Sequence, residues 1–341
     1  MDDKKSRTWF IASIIAAVVL TALIANLSPL LRRFPHLPDK GASWYFWQLP
    51  EATLGGRLSA WLLYGTHQIL LWYSLWLLSK ERKSRGGKSE GFGGANIRIL
   101  LLNFIFVFLH IIQTHIWYDG LAKDVPVWSS QSSVIVMLVI ILFLAAPARG
   151  LFAGRFKKMG TGGLAWVRSW HGYFIAWALC YTFWFHPTEG DYGLLTGFFY
   201  MFLLFIHLGF AYTPLHMNLK WIALLELFVG LHGPAIAIQK ALAGNERDAQ
   251  GPGIWIMFFS GFFFMFAFTG QYGFNLKKWQ RALVYLFYFS AVAALYSWRG
   301  FGKIYEIAFI PTALYGGALG LFLVAILAGW IQGKKAKLIE S

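Results

Sequence analysis

"RSWHGYFIAWALCYTFWFHP", residues 168–187, places an apolar and aromatic run of membrane length between two histidines, His171 and His186. A helix rising 1.5 Å per residue needs roughly 20 apolar residues to cross ~30 Å of hydrocarbon, so this stretch reads as a spanning helix with an imidazole near each end. Two readings are open. The histidines are ligands of buried cofactors, or they are polar caps at two lipid–water interfaces.

The same run length recurs along the chain. Apolar stretches fall at about 9–30, 59–79, 97–118, 131–153, 165–187, 192–213, 218–240, 252–274, 280–298 and 305–331. With 57% hydrophobic residues and only 13% charged ones, the chain has more apolar surface than a soluble core of this size can bury. The expected fold is therefore an all-α polytopic membrane protein, about ten transmembrane helices in one bundle, with residues 1–341 forming a single integral-membrane domain. The segments between spans are too short to bury a core of their own. The N-terminal run has spanning length and lacks a small-residue cleavage site before Pro29, so it reads as a retained first span.

Charge sets an orientation. The net charge of +15 is carried by short Lys/Arg clusters between spans, which argues for topology determinants and against a nucleic-acid partner. Lys4, Lys5 and Arg7, then "KERKSRGGKSEGFGGANIR", "ARGLFAGRFKK", "NLKKWQR" and "KKAK" fall on one side if both termini are cytoplasmic. The opposite loops, "WYDGLAKD", "HPTEGDYG" and "GNERDAQGPG", carry most of the acids, while loop 31–58 is the basic exception. Its "ASWYFWQLP" reads as an aromatic stretch lying in the interface. The expected location is the bacterial-type inner membrane, with the lipid bilayer as first partner and other membrane subunits as further ones. The glycines of "RGGKSEGFGG" come without a Walker lysine, and Cys180 is the single cysteine, which excludes a phosphate-binding loop there and an intrachain disulfide.

Orientation gives each histidine a depth. His171 and His207 lie about six residues, or ~9 Å, from the cytoplasmic ends of their spans; His67, His110 and His232 lie about eight residues, or ~12 Å, below the outer surface. Imidazole is a good iron ligand, and glycines beside these histidines would let a flat macrocycle approach a helix. The leading expectation is a membrane redox protein carrying one or two b-type haems, with His171 and His207 as cofactor-binding residues and Arg168 pairing with a propionate. Electrons would pass between a quinone, or another lipid-soluble substrate or partner subunit, and an acceptor. A related expectation assigns His67, His110 and His232 to one iron, copper or zinc ion, because three imidazoles at one depth can build an open coordination site. Against both stands a bland reading: satisfied polar residues and small residues that let membrane helices pack.

Histidines in two layers make the chain similar to ferric-reductase-like and other bis-histidine membrane cytochromes, although those families pair histidines thirteen or fourteen residues apart on two helices. Here only the span of His171 and His186, fifteen apart, comes near that spacing. A second stretch, "LKWIALLELFVGLHGPAIAI" with "GPGIWIMFFSGFFFMF", resembles the opening of ten-span membrane acyltransferases. That resemblance implies His232 as a general base, with Ser260 or Arg57 nearby. Glu226, the one carboxylate well inside a span, and His232 are the catalytic candidates. Glu226 also suits a third alternative, a proton-coupled transporter, with helices interrupted at Pro234 and Pro311. A fourth is an accessory subunit of a membrane complex. Tryptophans at span ends, including Trp44, Trp47, Trp117, Trp128, Trp184, Trp279 and Trp298, read as interface anchors.

Overall fold

A computed structural model of the chain describes residues 4–38, 45–84, 91–157, 161–242 and 253–339. Trp44, most of "GNERDAQGPG" and residues 85–90 of the basic loop lie outside the described residues. Among the described residues the protein is helical and contains no strand. Ten α-helices follow one another: α1 (Lys4–Leu27), α2 (Leu54–Ser84), α3 (Gly94–Trp117), α4 (Val127–Arg149), α5 (Thr161–Phe185), α6 (Tyr192–Gly209), α7 (Leu219–Leu242), α8 (Ile254–Phe268), α9 (Lys278–Arg299) and α10 (Phe309–Ile339).

Eight of these segments are long and apolar enough to cross a membrane; α2 and α5 are not among them. Length is not the cause, since α2 has 31 residues and α5 has 25. Their runs are diluted by Trp, Tyr, Ser, Gln and His, which lowers hydropathy without adding charge. Several helices end where the backbone is forced to turn. Span six stops at Gly209, before the expected 213, because Tyr212 takes a positive φ of 63° and Pro214 follows. Pro311 sits in the first turn of α10, where its missing N–H costs nothing, and α7 runs unbroken through Pro234. Neither proline interrupts its helix, which corrects that part of the transporter expectation.

The chain divides into two compact units. Unit 1 comprises Met1–Ser133 and Ala176–Trp255. In it α2 packs on α3, α6 on α7, and α1 and α3 both lie against α6. Unit 2 comprises Val134–Ile175 and Ile256–Ser341. Its core joins Val139 and Leu142 of α4 to Leu314 and Ala318 of α10, with Met265 of α8 packed against them. Gly317 makes that approach possible, since a Cβ there would run into the Val139 side chain. Aromatic rings fill the space between α8 and α9, where Phe264, Phe268, Tyr285 and Tyr288 stack edge to face or tilted. At the far end of α9 the buried Arg299 guanidinium grips the Glu306 carboxylate through two bonds of 2.7 and 2.9 Å.

Candidate functional site in unit 1

The polar residues of α3 build the site. Asn96, Asn103 and His110 recur every seven residues, which on a helix of 3.6 residues per turn keeps them on one face, and Gln113 and Thr114 extend that face by one turn. All five are buried. Buried polar groups survive in an apolar bundle only when hydrogen-bonded, and most of these are. Asn96 donates to the carbonyls of Gly209 and Ala211, closing the end of α6. The Asn103 carbonyl oxygen accepts from His67 Nε2 at 3.0 Å, and the other ring nitrogen, His67 Nδ1, accepts the indole N–H of Trp184 at 3.2 Å. His67 is therefore a neutral ring with its proton on Nε2.

Trp184 was expected at an interface. It is instead fully buried, and its ring lies 4.2 Å from that of His110. Its indole serves as a hydrogen-bond donor inside the bundle, whereas Trp128, Trp279 and Trp298 are more than half exposed, as anchors should be. His110 Nε2 meets the backbone carbonyl of His186 at 2.7 Å, and Nδ1 meets Gln113 Oε1 at 3.0 Å. Gln113 Nε2 in turn donates to the carbonyl of Asp119 at 2.8 Å and to Ser59 Oγ at 3.2 Å. Two hydrogen-bonded sets of buried side chains result, Gln113–His110 tied to the Asp119 backbone carbonyl and Trp184–His67–Asn103, and they meet where the Trp184 ring packs on His110.

The loop end of unit 1 is acidic and tightly built. Tyr118 takes a positive φ of 68°, a strained backbone for a bulky residue, and is fully buried. That turn aims its hydroxyl at Glu189 Oε1, 2.9 Å away, and lets the His36 ring stack on it at 4.7 Å. Glu189 also accepts from Ser28 Oγ at 3.2 Å and lies 3.6 Å from His36 Nε2. A cavity of about 350 Å³ opens here, lined by Ser28, Arg32, His36, Glu189 and Asp191. Asp119 accepts the Leu49 N–H at 2.8 Å while its other oxygen has no hydrogen-bond partner among the described residues. Burial pushes the Asp119 carboxyl up to about 6 and raises that of Asp191 as well. Gly120 permits the close packing, since a Cβ there would sit 2.6 Å from the Trp184 carbonyl oxygen and 2.7 Å from that of Phe185. Residues 45–50 of the expected interfacial stretch fold inward: Tyr45 is buried against Phe185 and His186.

The remaining sequence candidates are placed as follows. His232 Nδ1 bonds Thr196 Oγ1 at 3.0 Å, and its ring lies over Gly197, where a Cβ would come within 2.8 Å of it. Among the described residues no group of three His, Cys, Asp or Glu could hold a metal ion, so His67, His110 and His232 do not form the expected metal site. Equal depth did not bring them together: His67 and His110 spend both ring nitrogens on hydrogen bonds, and His232 turns to α6. His207 Nδ1 accepts the indole N–H of Trp221 at 3.1 Å and its ring stacks on His216 at 4.1 Å. Its proton is then on Nε2. His171, in unit 2, donates Nδ1–H to the Arg168 carbonyl at 2.7 Å, and the Arg168 side chain is exposed. Glu226 lies half-buried on α7 near Tyr200. Arg57 pairs with Asp124 at 2.6 Å, and Ser260 belongs to unit 2. The seven-residue polar stripe of α3 is the signal that histidine-centred reading passed over; it names Asn103 and Gln113 without any structure. No family model, curated protein or solved structure matches this chain.

Proposed function

We propose that the protein handles protons inside the membrane, as a proton-coupled transporter whose proton path is the polar string of unit 1. The observation that carries this reading is the buried hydrogen-bonded pair Gln113–His110, which Gln113 ties to the Asp119 backbone carbonyl; beside it Trp184 packs its ring on His110 and holds His67 and Asn103 in a separate set of hydrogen bonds. Ionisable and polar groups at such depth are expensive and mark ion or proton pathways. The cavity lined by Arg32, His36, Glu189 and Asp191 is the entrance, with groups of both charges for a small polar solute. With both termini cytoplasmic, as the distribution of Lys and Arg favours, this entrance faces outward.

The test uses protein reconstituted into liposomes with an entrapped pH dye and exposed to a panel of small amines, amino acids, carboxylates and sugars. Solute-dependent proton movement that is lost in Glu189→Gln supports the proposal. No response to any solute, together with a Soret band in the purified protein, contradicts it. Orientation is read separately with a membrane-impermeant thiol reagent in intact cells: Tyr192→Cys labels and Ser84→Cys does not. Both positions are exposed, and the native Cys180 is buried.

A further inference from the structure

We infer that His110 is the proton-binding station of this string and that His67, its neighbour, is held out of the proton's path as a permanently neutral ring. The argument is one of donor and acceptor parity. Both ring nitrogens of His110 face carbonyl oxygens, His186 O at 2.7 Å and Gln113 Oε1 at 3.0 Å. A neutral imidazole has one N–H and one lone pair, so one of these contacts sets a lone pair against a lone pair. Turning the Gln113 amide over does not relieve the conflict. Its nitrogen already faces the Asp119 carbonyl and Ser59 Oγ, and the Ser59 proton is committed to the Gly56 carbonyl at 3.1 Å. A flip would move the conflict to Asp119. Only the imidazolium, with two N–H groups, satisfies every contact at once.

Two further observations fit a ring built to carry charge. The Trp184 ring lies 4.2 Å from His110, tilted at 37°, where its π face attracts a cation. Phe183 closes the other approach at 4.9 Å. The groups that face His110 are His67 from α2, Phe183 and Trp184 from α5 with His186 just beyond its end, and Gln113 on its own helix; Ser59 and the Asp119 backbone carbonyl are joined through Gln113. His232 of α7 reaches the group by way of His186. His67 is the contrast. One of its nitrogens accepts a proton-bearing indole and the other donates to Asn103, so a second proton would collide with the Trp184 N–H. His115 also faces two carbonyls, but at the part-buried end of α3 and with a longer second contact of 3.3 Å.

The role of the bound proton rests on the proposed function, whereas its place on His110 rests on geometry alone, and the experiment reads only the place. Protein carrying ¹⁵N-labelled histidine in lipid bilayers is followed by nitrogen NMR between about pH 5 and 8, the range in which histidine ordinarily changes charge. Signals are assigned with His110→Gln and His67→Gln. The expected result is a His110 ring that becomes doubly protonated within this range while His67 keeps one proton, on Nε2, throughout. In Gln113→Glu, where a carboxylate replaces the amide, the His110 midpoint should rise by at least one pH unit. A His110 ring that stays singly protonated across the range, or a His67 ring that titrates, overturns the inference. If His110 titrates as stated and no solute moves protons, the transport proposal fails while this one stands.

Discussion

The two units bury polarity in opposite ways. Unit 1 spreads it over amides, hydroxyls and imidazoles in two hydrogen-bonded sets, Gln113–His110 at the Asp119 carbonyl and Trp184–His67–Asn103. Unit 2 carries a bidentate ion pair, Arg299–Glu306, and a core of aliphatic side chains and Phe and Tyr rings, in which Arg149, Ser260, Thr269 and Gln271 are also buried. An ion pair with matched geometry fixes a structure and goes no further, because its charges satisfy each other. A string of neutral groups can rearrange its protons. The proposed function draws on unit 1's polar side chains and gives unit 2's pair a structural role.

The largest effect expected from breaking this comparison is in unit 2. Glu306→Ala strands a buried guanidinium, and losing one partner of such a pair costs about 3–5 kcal/mol; chemical unfolding in detergent should register it. In unit 1, Trp184→Phe keeps the ring but removes the donor to His67, leaving a buried lone pair unmet at about 1–3 kcal/mol. The same variant frees His67 Nδ1, so a His67 that begins to titrate in Trp184→Phe would sharpen the distinction between the two histidines.

Asp119 gives a pH prediction of smaller size. Its folded-state pKa lies above the ordinary value, from 3.8 up to about 6, because burial penalises the carboxylate. The native state therefore binds this proton more tightly than the unfolded chain does, and stability falls as pH rises from about 4 to 6. Asp119→Asn keeps the acceptor for the Leu49 N–H and should stabilise the protein by about 1 kcal/mol at pH 7 while flattening stability over that window. A pH-independent difference between variant and parent would count against burial as the cause. The smallest effect is at Ser133→Ala, which removes a hydroxyl bonded to the Ser130 carbonyl and to Thr182 Oγ1; inside membranes interhelical bonds of the second kind average about 0.6 kcal/mol.

How much of this was legible in the sequence depends on what the residue in question has to do. Helix positions follow from the length of apolar runs, so α3 was expected at 97–118 and occupies Gly94–Trp117, and α9 was expected at 280–298 and occupies Lys278–Arg299. Partnership does not follow, because it depends on azimuth and on which helix lies opposite. His232 was expected in one layer with His67 and His110 yet bonds Thr196, and Trp184 was expected at an interface yet points into the bundle. The acid-lined cavity was equally hidden, since it needs Ser28 and His36 brought to Glu189 across more than a hundred residues by the strained turn at Tyr118.

The central claim is that the string in unit 1 conducts protons, and one comparison tests it most directly. Proton uptake driven by an imposed membrane potential is measured in liposomes containing the wild type, Gln113→Leu or Ser260→Ala. Gln113→Leu cuts the string between Asp119 and His110, whereas Ser260→Ala removes a buried hydroxyl from unit 2. The account predicts that uptake falls at least tenfold in Gln113→Leu and is unchanged in Ser260→Ala. Uptake by Gln113→Leu equal to that of the wild type, in protein that remains folded, would contradict it.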